Sequence, residues 1–238
     1  MTKTNGKDAR TAHFMPAVVV PPVRQAARLK VISLGEPAVG KSCLIKRYCE
    51  DKFVSKHVAT IGIDFGVKPV ELSGHGVVRI NFFDFAGGPE YFEVRNEFYK
   101  DASGAILVFD VASKSTLDAL DRWLHEAEEC GMQRPAMVLC GNKADGKKRE
   151  VSEADARRWA GSHGGMAYFE TSAKEGDNVH KMFEKLVCAL QQAGTARAGE
   201  EAGFGARGGW FAREICEIWD SHASAFAACQ PLASEPFA

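Results

Sequence analysis

Gly35-Glu36-Pro37-Ala38-Val39-Gly40-Lys41-Ser42 fits the pattern G-x-x-x-x-G-K-[ST] and stands between an apolar run and an amphipathic stretch. Residues 29–34 predict a strand, and the residues that follow the motif, through Tyr48, predict a helix. Such a loop turns its backbone N–H groups inward around a phosphate chain, and the N-terminus of the next helix adds a favourable dipole. Lys41 would reach the β- and γ-phosphates, and the Ser42 hydroxyl would bind Mg²⁺. A Gly-rich turn capping an ordinary helix is the alternative, and the motif alone does not distinguish ATP from GTP.

The base would be read by Asn142-Lys143-Ala144-Asp145, which follows an apolar run at residues 137–141. The Asp145 carboxylate can accept two hydrogen bonds from guanine, one from N1–H and one from the exocyclic amine, whereas adenine would leave it unpaired. Lys143 would lie along the purine and brace the phosphate loop. Four polar residues after a strand usually form only a turn. The prediction therefore depends on the position of this motif, after the second buried strand downstream of the phosphate loop.

Two other segments complete the predicted base contacts. Glu170-Thr171-Ser172-Ala173-Lys174 follows the last predicted strand. There the backbone N–H near Ala173 would meet the guanine oxygen, although Ser172 could be only a helix cap. Phe53 is placed to pack edge-on against guanine, and a core phenylalanine is the evenly weighted alternative. The predicted guanine contacts are Phe53, Asn142, Lys143, Asp145, Ser172, Ala173 and Lys174.

Two segments would sense the terminal phosphate. Thr60 offers a hydroxyl to Mg²⁺ and a backbone N–H to the phosphate, while Asp84 would hold Mg²⁺ through water and the Gly87 amide would reach the phosphate. Losing the γ-phosphate would release both segments, which is how a nucleotide switch works. The predicted metal ligands are Ser42, Thr60 and Asp84. The predicted phosphate contacts are Gly35, Glu36, Pro37, Ala38, Val39, Gly40, Lys41, Ser42, Cys43, Thr60 and Gly87.

Composition limits the classes of function. The 238 residues are 45% hydrophobic and 26% charged, with a formal net charge of −1. This profile is typical of a soluble globular protein and gives no electrostatic reason to expect nucleic-acid binding. The seven cysteines include no Cys-x-x-Cys pair, so neither a disulfide framework nor a zinc site is predicted. Reduced thiols and the lack of a secretory signal favour the cytoplasm, with the nucleus also open.

The order of segments predicts one α/β domain with flanking arms. Strand-like runs alternate with helix-length amphipathic stretches over residues 28–192, a pattern that indicates a mainly parallel sheet. Residues 1–27 are expected to form a mobile N-terminal arm and residues 193–208 a Gly/Ala-rich linker. In the tail, residues 209–238, apolar side chains at helical spacing predict a short amphipathic helix. Packing on its own domain is favoured over partner binding for this helix.

All five motifs, in this order and spacing, resemble those of the small GTPases, over roughly residues 28–192. Thr60-Ile61-Gly62-Ile63-Asp64-Phe65 is similar to the Rab branch, and residues 41–50 and 93–101 resemble the RJL family of Rab-like GTPases, which often carry a J domain. The resemblance implies a P-loop NTPase G domain, with a mostly parallel six-stranded sheet, one antiparallel edge strand and helices on both faces. It also implies GTP/GDP binding with Mg²⁺ by a monomer whose switch loops bind protein effectors, an exchange factor and a GTPase activator.

Catalysis is where the chain departs from that resemblance. Most small GTPases have a water-orienting glutamine at the position of Gly88, so no catalytic residue is assigned firmly, with Thr60 and Lys41 only assisting. Pro37 lies close to where an activator's arginine would enter. Slow intrinsic hydrolysis is therefore expected. Glu90 or Glu93 could orient the water instead, although a solvated helix face is favoured for both.

The end of the chain departs from the Rab pattern as well. No cysteine lies in its last four positions and no polybasic run occurs, so no intrinsic membrane anchor is expected. His-Pro-Asp is also absent, so a J domain is not expected.

Four functions remain to be separated. The main hypothesis is a signalling switch whose output is effector binding, and the alternative is an actively cycling Rab-type GTPase in intracellular membrane traffic. Gly88 and the missing lipid signal favour the first. A P-loop kinase or ATPase would need no guanine reader, so Asn142 and Asp145 argue against it. A scaffold that never exchanges its nucleotide is not dismissed by the sequence.

Overall fold

The computed structural model describes residues 28–56, 58–72, 76–133 and 135–202. The predicted N-terminal arm, residues 203–208 of the predicted linker and the predicted tail helix lie outside these residues. The account below concerns the described part of the chain.

Six strands form one sheet in the order β2-β3-β1-β4-β5-β6. They are β1 (Arg28–Leu34), β2 (Ile63–Leu72), β3 (Gly76–Phe85), β4 (Gly104–Asp110), β5 (Ala136–Asn142) and β6 (Ala167–Glu170). The pair β2–β3 is antiparallel, and every other neighbouring pair is parallel. Pro69 lies in β2, where a residue without a backbone N–H is tolerated because β2 is an edge strand. The predicted sheet, with its single antiparallel edge strand, is confirmed.

Helices cover both faces of the sheet, as predicted. They are α1 (Lys41–Glu50), α2 (Phe92–Arg95), α3 (Lys114–Asp118), α4 (Leu120–Glu129), α5 (Glu153–Ser162) and α6 (Val179–Ala202), with 3₁₀ turns at Pro89–Tyr91 and Asn96–Phe98. One buried cluster joins apolar residues of α3, α4 and α5 to one face of the sheet. A second cluster joins α1 and α6 to the other face, where Tyr48 stacks on Phe183 with ring centroids 4.1 Å apart.

Two predicted helices differ in extent from the observed ones. The helix predicted at residues 116–130 begins at Lys114 and is interrupted at Ala119, because Arg122 donates to the Ala119 carbonyl three residues back and tightens the turn there. The closing helix continues to Ala202, so the backbone is helical where a linker was predicted from residue 193. Alanine has the highest intrinsic helix propensity, so the alanines of this stretch are compatible with a helical backbone.

The buried middle strands position the site. Every residue of β4 from Gly104 through Phe109 is buried, as expected of a strand covered on both faces. Because β1, β4, β5 and β6 are parallel, their carboxyl ends meet at one edge of the sheet, where ligands bind in open α/β folds. The phosphate loop and the two segments predicted to bind guanine, residues 142–145 and 170–174, all leave the sheet at this edge.

Candidate nucleotide-binding site

The phosphate loop, residues 35–42, joins β1 to α1. Its Gly40 has φ +99°, and a Cβ built there would lie 2.3 Å from Nδ2 of Asn142. Both the left-handed backbone and the close amide require glycine at this position. Within the described chain no side chain caps the start of α1. The N–H groups of its first turn can therefore bind an anion, as the sequence predicted.

The Lys41 side chain folds back over this loop. Its Nζ donates to the carbonyl oxygens of Gly35 (2.7 Å) and Glu36 (3.0 Å), and the residue is buried. Burial lowers the pKa of Lys41 to about 8, against the opposing attraction of Asp84 and Glu36. The pKa stays lowered despite these two carboxylates, so the buried ammonium is incompletely compensated and an anionic phosphate chain in the loop would stabilise it.

The three predicted metal ligands come together beside the loop. Ser42 Oγ lies 2.8 Å from Thr60 Oγ1, and that Thr60 hydroxyl lies 3.5 Å from Asp84 Oδ2. Ser33 Oγ donates to Asp84 Oδ1 at 2.8 Å. Burial raises the pKa of Asp84, and hydrogen bonds from Ser42 and Ser33 together with the charge of Lys41 oppose the rise.

This oxygen cluster suits Mg²⁺. Hydroxyl and carboxylate oxygens are the hard donors that Mg²⁺ takes, and a cation would relieve the cost of burying the Asp84 charge. When bound, Mg²⁺ would neutralise charge on the phosphates. The described residues hold no group of three or more His, Cys, Asp or Glu side chains that could form a metal site of another kind.

Gly87 touches the phosphate loop directly. A Cβ built on Gly87 would lie 2.4 Å from the backbone nitrogen of Pro37 and 2.6 Å from the carbonyl carbon of Glu36. Only a glycine permits this approach of two backbones. The segment that follows Asp84 is thereby brought against the loop, where the sequence predicted contact with a terminal phosphate.

Asn142 connects the phosphate loop to the last base-reading segment. Its Nδ2 donates to the Val39 carbonyl at 2.8 Å. Its Oδ1 accepts from the Thr171 hydroxyl and from the Ala173 N–H, both at 3.2 Å. These hydrogen bonds of the buried Asn142 amide are therefore all made to protein groups. Its contribution to the site is to hold two loops at a fixed separation.

The remaining base-reading side chains lie where predicted, at the ends of β5 and β6. Ser172 Oγ donates to Asp145 Oδ1 at 2.7 Å, and Lys174 Nζ lies 4.0 Å from Asp145 Oδ2. Lys143 has φ +64° and pairs with Asp110 at 2.8 Å. These contacts orient the Asp145 carboxylate and fix the Lys143 stem beside the loop.

Two predicted base contacts are arranged differently. The Ala173 N–H donates to Asn142 Oδ1 because Asn142 reaches across the two loops, and the contact of a backbone N–H near Ala173 with the guanine oxygen stays a prediction. Phe53 is half-buried against the core cluster that contains α1 and α6. The core alternative therefore has direct support, and its contact with guanine stays a prediction.

Sequence reasoning missed several residues that shape the site. Ser33, which holds Asp84, is a polar residue inside the apolar β1 run, and that irregularity was the available signal. Asp110 ends β4 and pairs with Lys143. On α4, Arg122 Nη2 and Trp123 Nε1 both donate to Glu36 Oε1, at 2.6 and 2.9 Å, and anchor the phosphate loop from outside. No local pattern indicates that last contact.

A buried ion pair fixes the segment after Gly87, and it was also missed. Arg95 Nε and Nη2 donate to the two carboxylate oxygens of Glu126, at 2.5 and 2.7 Å, and Nη1 donates to the Gly88 carbonyl at 2.6 Å. Tyr99 donates its hydroxyl to Glu126. Burial tends to raise the pKa of Glu126, but the bonds from Arg95 and Tyr99 outweigh it and the pKa is lowered.

The fold and the site define a P-loop NTPase of the G-domain type. The family described as "Ras family" matches residues 30–192, and the chain belongs to that family of small GTPases.

Among curated proteins the chain is similar to DnaJ homolog subfamily C member 27 of several vertebrates. It is 50% identical to the Gallus gallus protein over 173 residues and 51% identical to the Homo sapiens protein over 172 residues. These alignments cover 70% of this chain, and 63% and 62% of the two relatives. The chain therefore spans less than two thirds of their length. The resemblance to the Rab-like RJL family is confirmed.

Proposed function

We propose that this chain is a Rab-like GTP-binding switch that takes up GTP or GDP with Mg²⁺ and binds protein effectors when GTP is bound. The Ras-family match supports guanine-nucleotide binding in general. The switching behaviour, the slow hydrolysis and the partners go beyond that match and are proposed in addition to it.

One observation carries the proposal. Thr60 and Gly87 belong to segments far apart in sequence, yet both lie against the phosphate loop, Thr60 through the Ser42 hydroxyl and Gly87 through the Pro37 backbone. A γ-phosphate with its Mg²⁺ would bind both segments together, and GDP would not. Differential contacts of this kind are what a ligand needs to shift a conformational equilibrium.

Exposed apolar side chains flank these two segments and support effector binding. Ile61, next to Thr60, is 80% exposed, and Val58 is 74% exposed. Phe65 on β2 and Phe92 and Val94 on α2 are also exposed. Effectors would bury this surface only when the segments are held in place. The preference for one nucleotide state would follow from that requirement.

Slow intrinsic hydrolysis is proposed because position 88 has no side chain to orient water. For scale, an unaided Ras-type site hydrolyses GTP at about 3–5 × 10⁻⁴ s⁻¹. Single-turnover hydrolysis by the full chain should be slower than that, and Gly88→Gln should raise the rate. A wild-type rate at or above that range would refute slow hydrolysis without affecting nucleotide binding.

The cellular setting of the chain is part of the proposal. In the residues that the structure describes, no helix is long and apolar enough to cross a membrane. We propose a cytoplasmic monomer, also present in the nucleus, that meets an exchange factor and a GTPase activator there. Partners would bring it to any membrane on which it acts.

The direct test is to identify the nucleotide that copurifies with the protein. Chromatography of the released ligand should give GTP, because slow hydrolysis biases the resting protein toward that state. Finding GDP alone would support the actively cycling alternative, and finding no guanine nucleotide, with none taken up in the presence of Mg²⁺, would end the proposal.

A further inference from the structure

The space beside Gly88 is filled by a carboxylate. A Cβ built on Gly88 would lie 2.4 Å from both Oε1 and Oε2 of Glu90 and 2.5 Å from its Cδ. The Glu90 carboxyl therefore occupies the space that a side chain at position 88 would enter.

The backbone around Gly88 is fixed on both sides of this contact. Gly87 lies against Pro37 of the phosphate loop, and the Gly88 carbonyl accepts from Arg95 Nη1 at 2.6 Å and from the Tyr91 N–H at 3.3 Å. The 3₁₀ turn at Pro89–Tyr91 follows immediately and leads into α2. Glu90 is the second residue of this turn, and its carboxyl lies beside Gly88.

The Glu90 side chain lies closer to the residue-88 Cβ position than the other acidic side chains of the segment do. The three atoms nearest to the residue-88 Cβ position all belong to Glu90, although Glu93 and Glu97 are exposed on the same segment. Glu90 is itself exposed, so its carboxylate remains accessible to water. Gly88 has φ −73° and ψ 144°, a conformation open to any residue. Backbone strain therefore does not explain a glycine at this position, whereas room for the Glu90 carboxyl does.

We propose that Glu90 orients the water that attacks GTP, in the role that a side chain at position 88 would otherwise have. This inference rests on the proposed function. The water oxygen bonds to the γ-phosphorus as the bond from that phosphorus to the β,γ-bridging oxygen breaks, and the electron pair of the broken bond leaves with GDP. The Glu90 carboxylate accepts the water proton and returns it to the phosphate product. A carboxylate beside an anionic phosphate also raises the electrostatic energy of the GTP-bound state and so weakens GTP binding.

The test compares single-turnover GTP hydrolysis by the full chain and its variants, each loaded with GTP and Mg²⁺ and checked for bound GTP. Glu90→Gln keeps a side chain of the same size that can still orient water but cannot accept its proton, so it should slow hydrolysis by roughly tenfold or more, short of the 10²–10⁴ of an ideally placed acid–base group. Glu97→Gln removes the same charge from the same segment and should stay within about twofold of wild type.

Two further measurements separate this role from a structural one. Gly88→Ala leaves the backbone unstrained but displaces the Glu90 carboxyl, so it should slow hydrolysis as well, and adding Glu90→Gln to it should bring little further loss. Glu90→Gln should bind GTP at least as tightly as wild type, because it removes an anion facing the γ-phosphate.

Equal rates in wild type and Glu90→Gln would overturn the inference, as would weakened GTP binding in Glu90→Gln. Either result would leave the nucleotide switch standing. Failure of wild type to bind GTP would instead count against the proposed function itself.

Discussion

The ion pair between Arg95 and Glu126 gives the sharpest stability prediction. The Arg95 side chain is 5% exposed and that of Glu126 17%, so Arg95→Met would leave a largely buried carboxylate without its bidentate partner. Breaking a buried pair in this way costs about 3–5 kcal/mol. Because Tyr99 still donates to Glu126 and some water reaches it, we expect the lower end, about 3 kcal/mol.

The assay is urea unfolding at one fixed, saturating GDP concentration, since bound ligand adds to stability. For an m-value of about 2–3 kcal/mol/M, Arg95→Met should lower the midpoint by about 1–1.5 M. The double variant Arg95→Met/Glu126→Leu should recover most of this loss, because apolar groups of similar size can replace a buried pair at little cost. Arg158→Met removes an exposed pair with Asp155 and serves as the control, and its unfolding midpoint should stay close to that of the wild type. A loss below 1 kcal/mol in Arg95→Met, or no recovery in the double variant, would refute the reasoning.

Two other variants test separate parts of the site. Gly40→Ala should abolish nucleotide binding measured by calorimetry, because its Cβ would lie 2.3 Å from Asn142 Nδ2 on a backbone with φ +99°. Gly161→Ala is the control: the space around Gly161 is open, so this variant should bind nucleotide as the wild type does. Glu126→Gln should make the free energy of unfolding fall less steeply as the pH is lowered. The pKa of Glu126 is lowered from its ordinary 4.5 in the folded protein, so its contribution to stability is complete above pH 4.5 and is lost as the pH falls through the lower folded pKa. An acid limb unchanged by this substitution would contradict the assigned role of the pair.

The fold was predictable because its signals are local. The β4 segment is apolar throughout and is buried on both faces, and the change of chemistry after each strand marks the edge where the loops converge. The continuation of α6 to Ala202 was not predictable from composition alone, since alanine, glycine and glutamate are common to linkers and to solvated helix.

Site residues could be predicted where a sequence motif lies at the end of a strand. Contacts between segments that are distant in the sequence were missed. Ser42, Thr60 and Asp84 come together because Ser42 lies at the start of α1, Thr60 just before β2 and Asp84 at the end of β3. The bond from Trp123 to Glu36 joins residues 87 positions apart, and nothing in either neighbourhood specifies the other.

The contact of Glu90 with Gly88 shows a different limit of sequence reasoning. The sequence allows Glu90 to be a solvated helix residue, and its exposure agrees with that. Only coordinates reveal that its carboxyl lies beside position 88.

Calorimetry of GDP binding to the nucleotide-free, Mg²⁺-supplemented protein, with Asp145→Ala alongside it, tests the central claim most directly. Asp145 would accept two charge-assisted hydrogen bonds from guanine, each worth about 1.5–3 kcal/mol, so Asp145→Ala should weaken GDP binding by at least about 100-fold. ATP should not compete for the wild-type site, because adenine leaves the carboxylate unpaired. Undiminished GDP binding by Asp145→Ala, or no GDP binding by the wild type, would contradict the account.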